Sequence, residues 1–293
     1  MVDAEAISVE GGDLLARAVG QLTSVPHIVG YLSAGIVSKV GEGVEDRAVG
    51  DRVVALNANG SHAARRAVPA LMTWLIPAGL DPARAACVPV AFGTAFECLF
   101  TAGALRSGQT VLIHAGAGGV GMAAIQLAKE AGATVIATAS SDEKIERLGA
   151  LGLDHGINYA SDSFVERIGE LTGERGVDVV VDSIGGQTLV ESVSVLAYGG
   201  TLVSVGTSAR CGSEVEARSL WAGQNTLRGV LLAMALLSEY PRIHGMISDL
   251  LGRVSAGDLH VEIDRTFPLS NAAGAHEYAE SRSAFGRVII TPT

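Results

Sequence analysis

The chain has 293 residues, 48% of them hydrophobic, 37 glycines, and a formal charge of −10 at pH 7. This length and apolar content support a sizeable core and favour two domains over one. The acidic balance excludes a nucleic-acid surface, which needs clustered Lys and Arg to neutralise phosphates.

The N-terminal stretch MVDAEAISVEGGDLLARAVG has acids where a secretory signal would carry a basic start and an unbroken apolar run. Up to about residue 90 the apolar runs are short and punctuated by Gly and Asp, as in AGIVSKVGEGVEDRAVGDRVVALNANG. Val53 to Leu56, then Asn59-Gly60, then a run ending at Val68 predict a hairpin with an Asn-Gly turn. Short strands separated by turns predict a small barrel or sandwich. Cys87, Cys98 and Cys211 have no C-x-x-C spacing for zinc or a redox pair, so each reads as a small apolar side chain in a reducing cytoplasm.

From Thr110 the texture changes to strands alternating with helices. TVLIHA (110–115) and TVIATA (134–139) predict strands around a helix GMAAIQLAKEAG (121–132) closed by Gly132. EKIERLGALG predicts a helix, HGINY a short strand, SFVERIGELTG a helix, VDVVVDSIG a strand, then a helix containing Val190 to Leu196 and a strand GTLVSVG. Val- and Ile-rich strands alternating with helices predict a doubly wound parallel sheet covered on both faces. The apolar run GVLLAMALL (229–237) is about half of what a membrane span requires, so no membrane is expected.

Gly116, Gly118 and Gly121 form a G-x-G-x-x-G directly after a predicted strand and at the mouth of a predicted helix. In that setting the first glycine permits the tight turn, the second lets the backbone approach a pyrophosphate, and the third allows close helix-to-strand packing. The helix N-terminus adds N–H groups and its positive dipole end. The second strand ends in Ala139, followed by Ser140, Ser141, Asp142, Glu143 and Lys144, where an NAD-binding chain usually places a carboxylate for the ribose 2′-hydroxyl. Without that carboxylate a 2′-phosphate is not repelled, and two hydroxyls and an ammonium can donate to it, so NADPH is favoured. SSDEK also reads as a helix cap with Ser141 at the N-cap, and the two readings are compatible.

The stretches GIVSKVGEGVEDRAVGDRVVAL, PVAFGTAFECL, GQTVLIHAGAGGVGMAAIQLAKEAGATVIATASSDEK and HGINY, together with the closing GRVIITPT, resemble the medium-chain dehydrogenase/reductase superfamily. Within it they are most similar to the zinc-independent quinone oxidoreductases and enoyl reductases. The resemblance implies a chaperonin-10-like β-barrel catalytic domain split between residues 1–92 and 233–293, with a Rossmann domain over 93–232. It implies a cofactor-binding set of Thr94, Gly116, Gly118, Gly119, Val120, Gly121, Ser140, Ser141, Lys144, Tyr159, Val205, Gly206 and Asn225. Ser140, Lys144 and Tyr159 match positions that hold the 2′-phosphate, Val205 and Gly206 fall on the strand end facing the nicotinamide, and Asn225 lies in a segment that approaches it. Family members often dimerise through the edge of this sheet, and NTLRGVLLA (225–233) is the candidate edge for a homodimer.

The chain departs from the family pattern in three places. Where zinc-dependent relatives carry C-G-x-D and G-H-E, it reads EGGDLLAR and GYLSAG; Leu32 cannot ligate a metal, and none is expected. One or two barrel strands precede the matching segment in the family, which predicts an N-terminally shortened barrel with an exposed edge. Glu10 stands where many quinone reductases have Asn, and reads either as an acid of raised pKa in a cleft or as an exposed carboxylate in a turn before Gly11-Gly12. Tyr31 and His62 are the other weak catalytic candidates, and each also reads as a packing residue. His114 reads as a packing or hydrogen-bonding residue, and Trp221 and Arg210 lie in a region suited to cap a substrate.

The expected reaction is hydride transfer from NADPH to a small electrophile, a quinone or an α,β-unsaturated carbonyl, without metal. Two other readings stay open. One is a nucleotide-binding sensor, partner-dependent subunit or structural protein with little catalysis; the other is an enoyl reductase of polyketide or fatty-acid synthesis.

Overall fold

The structure, a computed structural model, describes residues 1–19 and 26–292. The chain divides into two compact units: Met1–Val90 with Glu239–Thr293, and Ala91–Ser238.

The first unit opens with β1 (Val2–Val9), α1 (Gly11–Val19), β2 (Leu32–Val37), β3 (Arg52–Leu56), β4 (Arg65–Arg66), β5 (Thr73–Leu75) and α2 (Pro82–Ala86). Asp81 caps α2, its carboxylate accepting the N–H groups of Ala83 and Arg84, and Pro82 fits the first turn, where no donor is needed. After α3 (Val88–Phe96) the chain builds the second unit. This contains β6 (Thr110–Ile113), α4 (Gly119–Glu130), β7 (Thr134–Ala139), α5 (Asp142–Gly149), β8 (His155–Asn158), α6 (Phe164–Thr172), β9 (Val177–Asp182), α7 (Gly186–Ser192), β10 (Leu196–Ser204), β11 (Thr226–Gly229) and α8 (Leu232–Ser238). It then returns to the first unit with α9 (Tyr240–Ala256), β12 (Ile263–Pro268), α10 (Ala272–Glu280) and β13 (Arg287–Thr291).

In the first unit the strands run β12-β13-β1-β2-β3-β5, with β4 on β1. β1 is not an edge, having antiparallel partners on both sides, β13 and β2; the edges of this sheet are β12 and β5. The β1–β2 register shifts between Ala4 and Ala6, and Gly35 of β2 lies so close to the Asp3 carbonyl that any Cβ would overlap it. The expected Asn59-Gly60 hairpin does not form. Gly60 does take a left-handed φ of 89°, but its N–H bonds the Ile28 carbonyl, and the run that follows pairs with Val2 and Asp3 of β1 instead of β3. β3 pairs with β2 and β5. Ile7, Val9, Val288 and Ile290 pack with Ala275 of α10, and Trp74, fully buried, donates its indole N–H to the His244 carbonyl of α9 at 3.1 Å.

The second unit is a parallel six-stranded sheet of order β11-β10-β9-β6-β7-β8. The chain starts at β6, winds outward through β7 and β8, then returns past β6 to β9, β10 and β11. The switch point lies between β6 and β9, where open α/β sheets bind ligands beyond the carboxyl ends of their strands. Leu112, Ile136, Ile157, Val180 and Leu202 on the strands pack against Phe164, Ile168 and Leu189 on the helices. The helix expected to run to Leu196 stops at Ser192, and Leu196 opens β10. Among the described residues, no helix is long and apolar enough to cross a membrane.

Candidate functional site

The glycine turn joins β6 to α4. Its left-handed residue is Ala115, φ 53°, and not Gly116 as the motif predicts. Gly116 is required for space: a Cβ there would lie 2.9 Å from Ala137 Cβ and 3.1 Å from Leu148 Cδ1, while its N–H bonds the Thr138 carbonyl at 2.8 Å. A Cβ on Gly121 would overlap the Ala115 carbonyl and lie 2.7 Å from Gly116 Cα, so this glycine sets how closely α4 packs on the turn. Gly118, the N-cap of α4, differs: a Cβ there would meet only the Ala115 carbonyl, at 3.3 Å.

The open side of Gly118 therefore lies at the start of a twelve-residue helix. Gly119, Val120 and Gly121 form its first turn, and N–H groups in a first turn have no partner within the helix. Gly119 and Val120 are half-buried. An anionic pyrophosphate fits this position by both geometry and charge.

The ends of β7 and β8 lie side by side. Ala139 pairs with Asn158, and the Tyr159 N–H donates to the Ala139 carbonyl at 3.1 Å. Ser141 caps α5, its hydroxyl accepting the Lys144 N–H at 3.3 Å, so the cap reading of SSDEK holds. Asn158 Nδ2 donates to Asp142 Oδ1 at 3.0 Å. These bonds bring Ser140, Ser141, Lys144 and Tyr159 together at two neighbouring strand ends, with Tyr159 46% exposed.

At the ends of β9 and β10, the Val205 N–H donates to the Asp182 carbonyl at 2.9 Å, and a Cβ on Gly206 would lie 2.7 Å from the Ser183 carbonyl. Thr94 is buried in α3. Asn225 does not belong to this group. It precedes β11, at the opposite end of the parallel strands, and its amide donates to the carbonyls of Ala197 (2.7 Å) and Gly200 (3.4 Å). It is a structural clip between strands, a role invisible without the register. Trp221 is 72% exposed, Arg210 has a left-handed φ of 56°, and Cys211 is exposed, unlike the buried Cys87 and Cys98.

In the first unit Glu10 is neither exposed nor in a turn. It is buried just before α1, accepts from the Ser8 hydroxyl at 2.8 Å, and forms a short ion pair with Arg287 of β13. Burial pushes the Glu10 carboxyl up, opposed by the Arg287 charge. Burial acts to lower Arg287, but the Glu10 carboxylate overrides it and holds the guanidinium protonated. Asp13 accepts the Glu10 N–H at 3.0 Å, and burial lifts its carboxyl to about 7. Tyr31 is half-buried over Gly12, and burial followed by the nearby Glu10 and Asp13 charges pushes its phenol up. His62 shares an Nε2–Nε2 hydrogen bond of 3.0 Å with the buried His276. Burial and the neighbouring His276 pull His62 down to about 4. The sequence singled out Glu10, Tyr31 and His62 but not Arg287, Asp13 or His276. A closing strand that begins with a cation, in GRVII, was the one available signal.

A doubly wound sheet with a pyrophosphate-type glycine turn, in a chain whose other unit is a mostly antiparallel sheet assembled from both chain ends, defines a dinucleotide-dependent dehydrogenase or reductase. Residues 1–79 match the family model described as alcohol dehydrogenase GroES-like domain, and residues 119–249 match the one described as zinc-binding dehydrogenase. The chain is 35% identical to a 2-haloacrylate reductase from Burkholderia sp over 91% of its length and 81% of the relative's. It is 33% identical to the human synaptic vesicle membrane protein VAT-1 homolog over 96% of its length and 75% of the relative's. The structure is similar to Escherichia coli quinone oxidoreductase complexed with NADPH, with a TM-score of 0.93 and 31% identity, covering 99% of this chain and 90% of that one. The chain belongs to the medium-chain dehydrogenase/reductase superfamily, in its quinone oxidoreductase and enoyl reductase branch.

Proposed function

We propose that the protein is an NADPH-dependent reductase that passes a hydride to a quinone or to the β-carbon of an α,β-unsaturated carbonyl. The observation that carries this reading is the pairing of the open Gly118 turn with a β7 end that bears Ala139, Ser140, Ser141 and Lys144 but no carboxylate on the strand itself. Bound NADPH would supply the hydride. The acceptor would gain that hydride and one proton.

The roles of this chain's residues are binding and orientation. Gly118, Gly119, Val120 and Gly121 offer backbone N–H groups to the pyrophosphate; Ser140, Lys144 and Tyr159 hold the 2′-phosphate; Thr94, Val205 and Gly206 border the nicotinamide. The proton comes from solvent or a hydroxyl. Metal-free transfer is supported by the side chains themselves. Leu32 occupies a buried strand position in the stretch where relatives carry ligands, Glu10 is engaged by Arg287, and among the described residues no three His, Cys, Asp or Glu side chains could hold a metal.

The exposed β11, at the edge of the six-stranded sheet with Leu227, Leu231 and Met234 open to solvent, supports a homodimer formed by edge pairing. Sedimentation showing monomer alone would remove that assignment. The decisive experiment for the activity is an NADPH-oxidation screen over quinones, enones and enoyl thioesters. Turnover of one class identifies the acceptor; NADPH binding without turnover of any would favour a sensor or partner-dependent subunit.

A further inference from the structure

We propose that Asp182 makes the site discriminate between oxidised and reduced cofactor, its carboxylate favouring the pyridinium form. This inference rests on the reading of the second unit as an NADP(H) site.

Asp182 ends β9, the strand that borders β6 at the switch point on one side and β10 on the other. Its side chain is completely buried. The carboxylate accepts the N–H of Ile184 at 2.7 Å through Oδ1, and the N–H of Gly185 at 3.2 Å through both oxygens. Among the described residues no Lys or Arg pairs with it. Burial pushes the Asp182 carboxyl up, and the N–H groups of Ile184 and Gly185 oppose that shift and favour the ionised form. A buried anion without a cation is costly, and closing the turn does not require one, because an Asn oxygen accepts the same N–H groups. The negative charge is what the local fold leaves unexplained.

The position of that charge is fixed relative to the end of β10. Val205 donates its N–H to the Asp182 carbonyl, Ser208 to Ser183 at 3.2 Å, Ala209 to Ile184 at 2.9 Å, and Gly186 donates to the Ser213 hydroxyl at 2.6 Å. Turn 183–186 and segment 205–213 thus form one stitched platform, and Val205 and Gly206 are the residues read as bordering the nicotinamide. Loss of hydride converts a neutral dihydropyridine ring into a cation. A fixed anion at the end of β9, in the turn stitched to that strand end, would stabilise the cation and leave the neutral ring almost untouched. Such a charge pulls hydride transfer toward product and slows release of the oxidised cofactor.

The test compares Kd for NADP⁺ and for NADPH, by calorimetry at one pH, in the wild type and in Asp182→Asn, with Asp182→Ser as a second neutral variant in case the first does not fold. Removing the charge should weaken NADP⁺ relative to NADPH by about tenfold, equivalent to about 1.4 kcal/mol of charge–charge interaction. Equal changes in both constants, or no change in either, would overturn the proposal and leave Asp182 a turn cap. A wild-type protein that binds neither nucleotide would instead overturn the NADP(H) reading itself.

Discussion

Arg287 on β13 closes on Glu10 at the end of β1, two buried side chains 277 positions apart in the chain. The guanidinium also donates to the Ser8 hydroxyl at 2.7 Å and the Val9 carbonyl at 3.2 Å. The two halves of the pair are not equivalent when one is removed. A carboxyl stranded in the interior can take up a proton, which burial already favours at Glu10, whereas a guanidinium cannot lose one. Glu10→Ala should therefore destabilise the protein by about 3–5 kcal/mol, and Arg287→Met by distinctly less. Urea denaturation of both variants checks this, and equal losses would refute the asymmetry.

The glycine turn yields a second contrast. Gly121→Ala forces a Cβ onto the Ala115 carbonyl and the Gly116 backbone, so it should lower the melting temperature and abolish NADPH binding together. Gly118→Ala meets only one atom, at 3.3 Å, so the fold should survive while the methyl obstructs the open side of the turn. Thermal unfolding together with NADPH fluorescence titration separates the two. A Gly118→Ala protein with unimpaired binding would show that the pyrophosphate does not lie on that side.

Much of this arrangement was legible in the sequence because it depends on local rules. The strand Thr134–Ala139 falls on its predicted bounds, and the Ser141 cap and the Gly121 packing follow from spacing alone. What was not legible depends on partners distant in the chain. Arg65–Arg66 pairs with β1 and not β3, Arg287 neutralises Glu10, and Asn225 serves the N-terminal ends of the strands. Even within the motif, the strained residue proved to be Ala115, because the G-x-G-x-x-G pattern specifies space and leaves open which residue turns left-handed.

Cofactor choice is testable at the ends of β7 and β8. Lys144→Ala removes an ammonium that a 2′-phosphate would use and a 2′-hydroxyl would not. Its Kd for NADPH should rise by about tenfold with the NADH constant unchanged, as expected for one charge-assisted hydrogen bond. Ser140→Asp, which restores an acid close to the strand end, should reverse the preference toward NADH. Titration of both variants with both nucleotides checks this. A Lys144→Ala protein with undiminished preference would reduce the lysine to a solvated residue of the α5 cap.

The last prediction concerns acid stability and His114, which follows β6 at the start of the turn. The Ser192 hydroxyl donates to the Thr188 carbonyl at 2.7 Å, so it accepts from His114 Nε2–H at 2.9 Å. That leaves Nδ1 to accept from the Thr138 hydroxyl at 3.2 Å. This set satisfies a neutral imidazole, none of its partners is a carboxylate that would favour an imidazolium, and burial pulls the ring down to about 3. In the unfolded chain the same ring titrates near 6.5. Above that value both states are neutral and His114 adds no pH dependence. Below it the unfolded state alone binds the proton, so stability falls with acidification until the folded ring also protonates near 3. One such proton corresponds to about 1.4 kcal/mol per pH unit. Buried carboxyls such as Asp13, lifted to about 7, act in the opposite direction over part of this range, so the informative quantity is the difference between wild type and His114→Gln. Urea denaturation between pH 6 and 4.5 should give the variant a pH slope smaller by about one proton. Parallel slopes would mean that His114 is already charged in the folded protein, against the hydrogen-bond pattern around it.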